Sequence, residues 1–153
     1  VARDDLVFIF QKQKDPAQLR TAADKLGELL GSKLGQKVRV VVPTDYSASV
    51  QALVSGQADV AYVSALPFLL ARRDGGAELL LAEQRTDAAG KPRTDYDSIF
   101  VVRADSPLKS VADLTSQAKS LRFAFTSPTS TSGYVFPYRR MIVDGLLKPK
   151  QDP

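Results

Sequence analysis

One segment of this 153-residue chain, Ser127-Pro128-Thr129-Ser130-Thr131-Ser132-Gly133-Tyr134, sets hydroxyl side chains between a predicted strand and a predicted helix. The first N–H groups of a helix have no partner inside it, and the helix dipole adds partial positive charge there. Ser130, Thr131 and Ser132 add O–H donors at that point, and Gly133 would let a ligand approach the backbone. Together these suit a tetrahedral oxyanion without needing Lys or Arg. A multiply capped helix start is the alternative, because Ser and Thr are favoured N-caps in any case. No Gly-Lys-Ser/Thr ending is present, so a nucleotide P-loop is not indicated.

Three more residues stand where ligands collect. Tyr46 follows a predicted strand at the start of a helix, and ligands of open α/β sheets bind outside such strand ends. Its phenol could donate to an anion or wall an apolar group, or it could be a surface aromatic. Ser64 holds the equivalent place after the next strand, where it could also be a plain helix cap. Tyr96, in Thr94-Asp95-Tyr96-Asp97-Ser98, falls at a predicted boundary between two lobes, or else packs at a strand start. Asp95 and Asp97 would repel an anion, so they are expected to point away from it. Arg72-Arg73 and Arg139-Arg140 read as solvated helix faces.

Composition narrows the chemistry further. The chain has no Cys and no His. That removes disulfides, thiolate or imidazole metal sites, a Cys nucleophile and a Ser-His-Asp triad. No enzyme activity, metal or cofactor is expected. The net charge is +4, with the basic residues scattered among acids, so no nucleic-acid partner is expected. No apolar run approaches the roughly 20 residues of a membrane span. The polar start Val1-Ala2-Arg3-Asp4-Asp5 fits either a mature protein whose leader was removed or a cytoplasmic one.

The elements that would position these residues alternate. Leu6–Phe10 is a predicted strand, and Pro16 opens a helix to about Leu34 with Asp15 as N-cap. The helix face is expected from Leu19, Ala22, Ala23, Leu26, Leu29, Leu30 and Leu34, at three- and four-residue steps. Val38–Val42 is a strand, Thr44 or Asp45 caps a helix to Val54, and Ala58–Val63 is a strand. A helix over Ala65–Arg72 and a strand over Ala77–Ala82 follow. Continuous apolar strands argue for a parallel-type sheet with helices on both sides. Thr86–Asp95 reads as a connection. Beyond it come strands at Ser98–Arg103 and Arg122–Phe125, a short helix opened by Ser110, and a helix over Tyr134–Leu147 with Pro137 in its first turn. Two lobes are expected, 1–95 and 96–153. The second holds few strands for a stable sheet, so it reads as incomplete, and an open sheet edge would favour pairing of two copies.

These segments resemble, in order, the periplasmic substrate-binding proteins of phosphonate, phosphite and phosphate ABC transporters. The similar stretches are Leu6–Phe10 with Gln11–Pro16, Val40-Val41-Val42-Pro43-Thr44-Asp45-Tyr46, and Gly56-Gln57-Ala58-Asp59-Val60-Ala61-Tyr62-Val63-Ser64. They continue through Tyr96–Arg103, Asp105–Leu114 and Ser127–Pro137, covering almost the whole chain.

The resemblance implies a two-lobed α/β fold of the periplasmic-binding-protein type, with mixed, mostly parallel sheets, that closes on its ligand like a hinge. It places phosphonate oxygens on Ser130, Thr131 and Ser132, with Tyr46 and Tyr96 completing the near side. The implied partners are a small phosphorus oxyanion and a transporter permease, and the implied location is the periplasm, after removal of a signal peptide. A ligand-binding sensory domain of a receptor is the alternative use of this fold. Two departures stand out. The loop begins Ser127-Pro128 where the family often has Asp-Pro, and the family's later polar residues, which read the ligand's substituent, have no counterpart here.

Overall fold

The computed structural model describes residues 5–11 and 16–149. The expected Asp15 cap and the polar segment after Gln11 lie outside the described residues. The chain divides into two units, 1–81 and 82–153. That division falls earlier than the expected 95/96, because the connecting stretch goes with the second unit.

The first unit is built on three parallel strands: β1 (Leu6–Phe10), β2 (Val38–Val41) and β3 (Val60–Tyr62), in the order β2-β1-β3. Leu6 pairs with Val38, and Phe8 with both Val40 and Val60. β1 is central, so both of its faces must be covered. Val7 and Ile9 are buried with Ala58, against Ala52 and Leu53 of helix α2 (Tyr46–Val54). The opposite face, which carries Phe8 and Val40, meets helix α1 (Pro16–Leu34). The expected helices on both sides of a parallel sheet are therefore present.

The face that α1 buries differs from the apolar stripe read from the sequence. Ala23 and Gly27 are buried, whereas Ala22, Leu29 and Leu34 are exposed. A Cβ on Gly27 would lie 3.1 Å from the Val38 carbonyl oxygen, and one on Gly31 3.1 Å from that of Gln36. Small residues let the helix lie almost on the strand, and that close approach decides the face over the larger leucines. Helix α3 (Ala65–Gly75) packs on α2 by the same device. Pro67, Ala71 and Ser49 are fully buried, and Gly75 sits against Val54.

The expected strand at 77–82 is not formed. Its composition suits a strand, but no neighbouring strand is laddered to it among the described residues, and Leu80 and Leu81 are 74% and 89% exposed. A strand exists only through its partner's hydrogen bonds. The same correction applies in the second unit to 98–103 and 122–125. These run near one another through an edge-on contact of Phe100 with Phe123, with ring centroids 5.7 Å apart, but share no ladder.

Among the described residues, the strands that the second unit does form are a short antiparallel pair, β4 (Arg85–Thr86) and β5 (Pro92–Arg93), which begins one residue before the stretch Thr86–Asp95 read as a connection. Asp87 closes its turn by accepting the N–H groups of Ala89 and Lys91 at 2.9 Å each, and Gly90 takes the positive φ of 80° that the turn requires. Helix α4 (Val111–Ser116) starts as expected at Ser110. The Ser110 hydroxyl accepts the Asp113 N–H, and the Asp113 carboxylate accepts the Ser110 N–H, which makes a capping box. The last helix, α5 (Phe136–Val143), is shorter than the expected 134–147 and is entered through a wider turn, described next.

Candidate functional site

Because β1, β2 and β3 are parallel, their carboxyl ends open on one edge of the sheet. Gln11, the Pro43–Tyr46 turn and Ser64 leave from that edge. Asp45, rather than Thr44, is the N-cap of α2. Its carboxylate accepts the Ser47 hydroxyl at 2.7 Å and the Ala48 N–H at 2.8 Å. These bonds, that of Ser47 foremost, hold the carboxyl below its ordinary range. The start of α2 is thus already occupied by a negative charge. What remains beside it is the half-buried Tyr46, whose phenol could donate a hydrogen bond.

Ser64 occupies the N-cap position of α3 but its side chain makes no cap bond. It is held instead by the buried Gln11. The Ser64 N–H donates to Gln11 Oε1 at 3.1 Å, and Gln11 Nε2 donates to Ser64 Oγ at 3.4 Å. The Gln11 N–H in turn donates to the Tyr62 carbonyl at 3.0 Å, which continues the β1–β3 pairing by one residue. Ser64 therefore stands at the cap position, as the plain-cap reading has it, but its side chain is engaged by Gln11 and not by the helix N–H groups. Sequence alone gives Gln11 no site role, although its position as the first polar residue beyond a central strand is the available signal.

In the second unit the hydroxyl segment folds into a tight, internally bonded start of helix. The Ser130 N–H donates to the Ser127 carbonyl at 2.8 Å, and the Ser127 and Thr129 hydroxyls are 2.9 Å apart. Ser130, 7% exposed, accepts the Gly133 N–H on its Oγ at 3.1 Å. The Ser130 carbonyl takes two N–H groups, those of Tyr134 and Val135, each at 3.2 Å. The second of these bonds spans five residues, so Thr131–Val135 is a π-type turn that runs into α5. Such widened turns are uncommon and concentrate at functional sites. Ser132 contributes a half-buried hydroxyl, and its carbonyl accepts the Ser98 hydroxyl at 2.6 Å.

Gly133 serves a different end from the one expected of it. A Cβ there would overlap Thr126 Oγ1, and the Thr126 N–H donates to the Gly133 carbonyl at 3.1 Å. The missing side chain admits Thr126, not a ligand. Below this turn, Phe125, Tyr134 and Tyr138 form an aromatic group, with Tyr134 and Tyr138 stacked at 5.5 Å.

Tyr96 is 64% exposed, two residues before Ser98. The acids beside it are not free. Arg93 pairs with Asp95 at 2.8 Å and with Asp97 at 3.6 Å. The guanidinium holds the Asp95 carboxyl below its ordinary value, and the two carboxylates keep Arg93 firmly protonated. A single cation thus pairs with both acids that flank Tyr96.

Of the six singled-out residues, Tyr46 and Ser64 stand in the first unit, and Tyr96, Ser130, Thr131 and Ser132 in the second. Among the described residues no group of three His, Cys, Asp or Glu could hold a metal ion, and no helix is long and apolar enough to cross a membrane.

An open parallel sheet with polar groups at its strand ends, and a separate unit with a hydroxyl-lined helix start, define an α/β binding-protein architecture. Solved structures share it. A binding-protein component of an ABC phosphonate transporter from Pseudomonas aeruginosa superposes with a TM-score of 0.73 at 24% identity, over 87% of this chain and 43% of that one. PhnD1 of Prochlorococcus marinus, solved in complex with methylphosphonate, superposes with a TM-score of 0.77 at 22% identity, over 94% of this chain and 51% of that one. The family described as "ABC transporter, phosphonate, periplasmic substrate-binding protein" matches residues 8–152, and the chain belongs to it.

Curated relatives agree. The phosphate-import protein PhnD of Mycolicibacterium smegmatis is 26% identical over 88% of this chain, and the phosphonates-binding periplasmic protein of Escherichia coli is 31% identical over 69% of it. The chain spans 40% of the length of the first relative and 30% of the second.

Proposed function

We infer that this chain carries the oxyanion-gripping part of a solute-binding receptor, which takes a phosphorus oxyanion (a phosphonate, phosphite or phosphate) and hands it to an ABC transporter permease. The observation that carries the reading is the π-type turn at Thr131–Val135 in a chain of this family. The turn sets Ser130, Thr131 and Ser132 side by side at the positive end of a helix. Tyr46 and Tyr96 are assigned to the same ligand. The lobes are taken as 1–95 and 96–153, with Tyr96 at the crossover.

The chemistry follows from the donor set. A tetrahedral oxyanion offers only acceptors to the protein when fully ionised, so its partners must be O–H and N–H donors. The Ser130 oxygen already accepts the Gly133 N–H, which leaves its own O–H as a donor. Neutral donors grip the anion without a fixed countercharge, which suits a carrier that must release its cargo. Binding is expected without turnover, since no general base adjoins the hydroxyl segment.

The test is thermal unfolding of the full-length protein with phosphate, phosphite, methylphosphonate, 2-aminoethylphosphonate or sulfate. A ligand that binds only the native state raises the midpoint, by about 2.7 kcal/mol of stability at a hundredfold excess over its Kd. The expected result is a rise with at least one phosphorus oxyanion and none with sulfate. No rise with any of them at about 1 mM would leave the hydroxyl segment a capped helix start and overturn the reading.

A further inference from the structure

We propose that Ser98 is the positioning residue of the oxyanion turn. Its hydroxyl fixes the Ser132–Gly133 peptide and couples the turn to the Tyr96 segment. The inference rests on the receptor reading above.

The argument starts from the planarity of the peptide group. The Ser132 carbonyl and the Gly133 N–H belong to one rigid unit. Ser98 Oγ donates to the carbonyl end at 2.6 Å, and Ser130 Oγ accepts from the N–H end at 3.1 Å. One hydroxyl at each end opposes rotation of this plane. The next carbonyl, that of Gly133, accepts the Thr126 N–H at 3.1 Å, so the chain is held on both sides of the glycine. Glycine is the residue whose backbone would otherwise turn most readily. The anchor matters because donors aimed before the ligand arrives lose less on binding than donors that must be ordered by it.

The anchor comes from far away in sequence, 34 residues before the turn. It also stands two residues after Tyr96, the other proposed donor of this unit. Anything that shifts Tyr96 along the chain therefore pulls on the Ser132 carbonyl, and with it on the Ser130 hydroxyl. Ser98 itself is exposed, and its bond contributes little to the stability of the fold. Its proposed effect is on the aim of the donors.

The experiment uses the full-length protein and its Ser98→Ala and Ser98→Thr variants. Methylphosphonate, phosphite and phosphate are titrated calorimetrically, and amide exchange at Gly133 is followed without ligand. Ser98→Ala is expected to weaken binding about fivefold, the size of one modest hydrogen bond, and to speed exchange at Gly133. The unfolding midpoint without ligand should stay within about a degree of wild type. Ser98→Thr, which keeps the hydroxyl, should restore binding to within about twofold. Equal affinity in wild type and Ser98→Ala overturns the inference alone, as does a Thr variant no better than Ala. A wild-type protein that binds none of the three anions overturns the receptor reading and this inference with it.

Discussion

Gln11 and Ser64, 53 residues apart in sequence, share two hydrogen bonds across the carboxyl edge of the sheet. In a capping box the N3 side chain reaches back to the N-cap N–H. Here the side chain that receives the Ser64 N–H comes from the end of β1 instead. Helix α3 is thereby fixed to the central strand through its N-cap residue.

Gln11→Ala would strand the half-buried Ser64 N–H. A buried donor left without an acceptor costs about 1–3 kcal/mol. Urea unfolding should show a loss in that range with an unchanged slope. A Gln11→Ala protein as stable as wild type would show that water replaces the amide and that the bond does not fix α3.

The alternation of strand and helix in the first unit is legible because each strand there is a short apolar run followed by a turn residue and a helical repeat. Val38–Val41 and Tyr46–Val54 fall within a residue or so of expectation. Residues 77–82, 98–103 and 122–125 show where the reading stops. Apolar β-formers state a preference, but pairing is a property of the neighbour, and none of these segments is laddered. In α1 the periodicity located the helix but not its face, because periodicity weighs Leu29 above Gly27 while close packing on β2 does the reverse. At the candidate site the hydroxyl segment was legible as composition at a helix start. Ser98, Thr126 and Gln11 were not, since each acts through a contact tens of residues distant or through a gap left by a glycine.

Ser130 and Ser132 should separate under mutation. Ser130 caps the turn, so Ser130→Ala is expected to cost about 1 kcal/mol of stability as well as ligand affinity. The Ser132 hydroxyl takes no such place, so Ser132→Ala should leave stability within about 0.5 kcal/mol. On the receptor reading its affinity for methylphosphonate still falls, by about tenfold for a bond to a charged acceptor. Calorimetric titration beside chemical unfolding reads both quantities. A Ser132→Ala protein with wild-type affinity removes that hydroxyl from the site.

Gly133→Ala tests the turn from its other side. The added methyl meets Thr126 Oγ1 and Cγ2, and forcing a methyl into such a contact costs about 1–3 kcal/mol. Thr126→Ala removes both opposing atoms. In the double variant the cost should shrink by at least half, because residues in contact do not contribute additively. Simple additivity of the two single changes, measured by urea unfolding, would place the strain elsewhere in the turn.

Arg93 holds Asp95 and Asp97 on either side of Tyr96. With the guanidinium present, the charge of one of the two carboxylates beside a proposed anion donor is offset. Arg93→Gln removes the cation and keeps much of the side-chain volume. The expected outcome is weaker methylphosphonate binding that recovers as salt is raised, because salt screens the repulsion between exposed charges. Wild-type binding should depend on salt much less. The pH dependence has a definite sign. Asp95 is held below its ordinary value in the folded protein, so the Arg93–Asp95 pairing supports the fold above the ordinary carboxylate range and is lost as pH falls through the lowered value. In Arg93→Gln the Asp95 carboxyl should titrate closer to its ordinary value, which carbon-detected NMR of the side chain reads directly. If the affinity of Arg93→Gln equals that of wild type at low salt, the two acids lie too far from the ligand to be felt, and Tyr96 is not a contact of the anion.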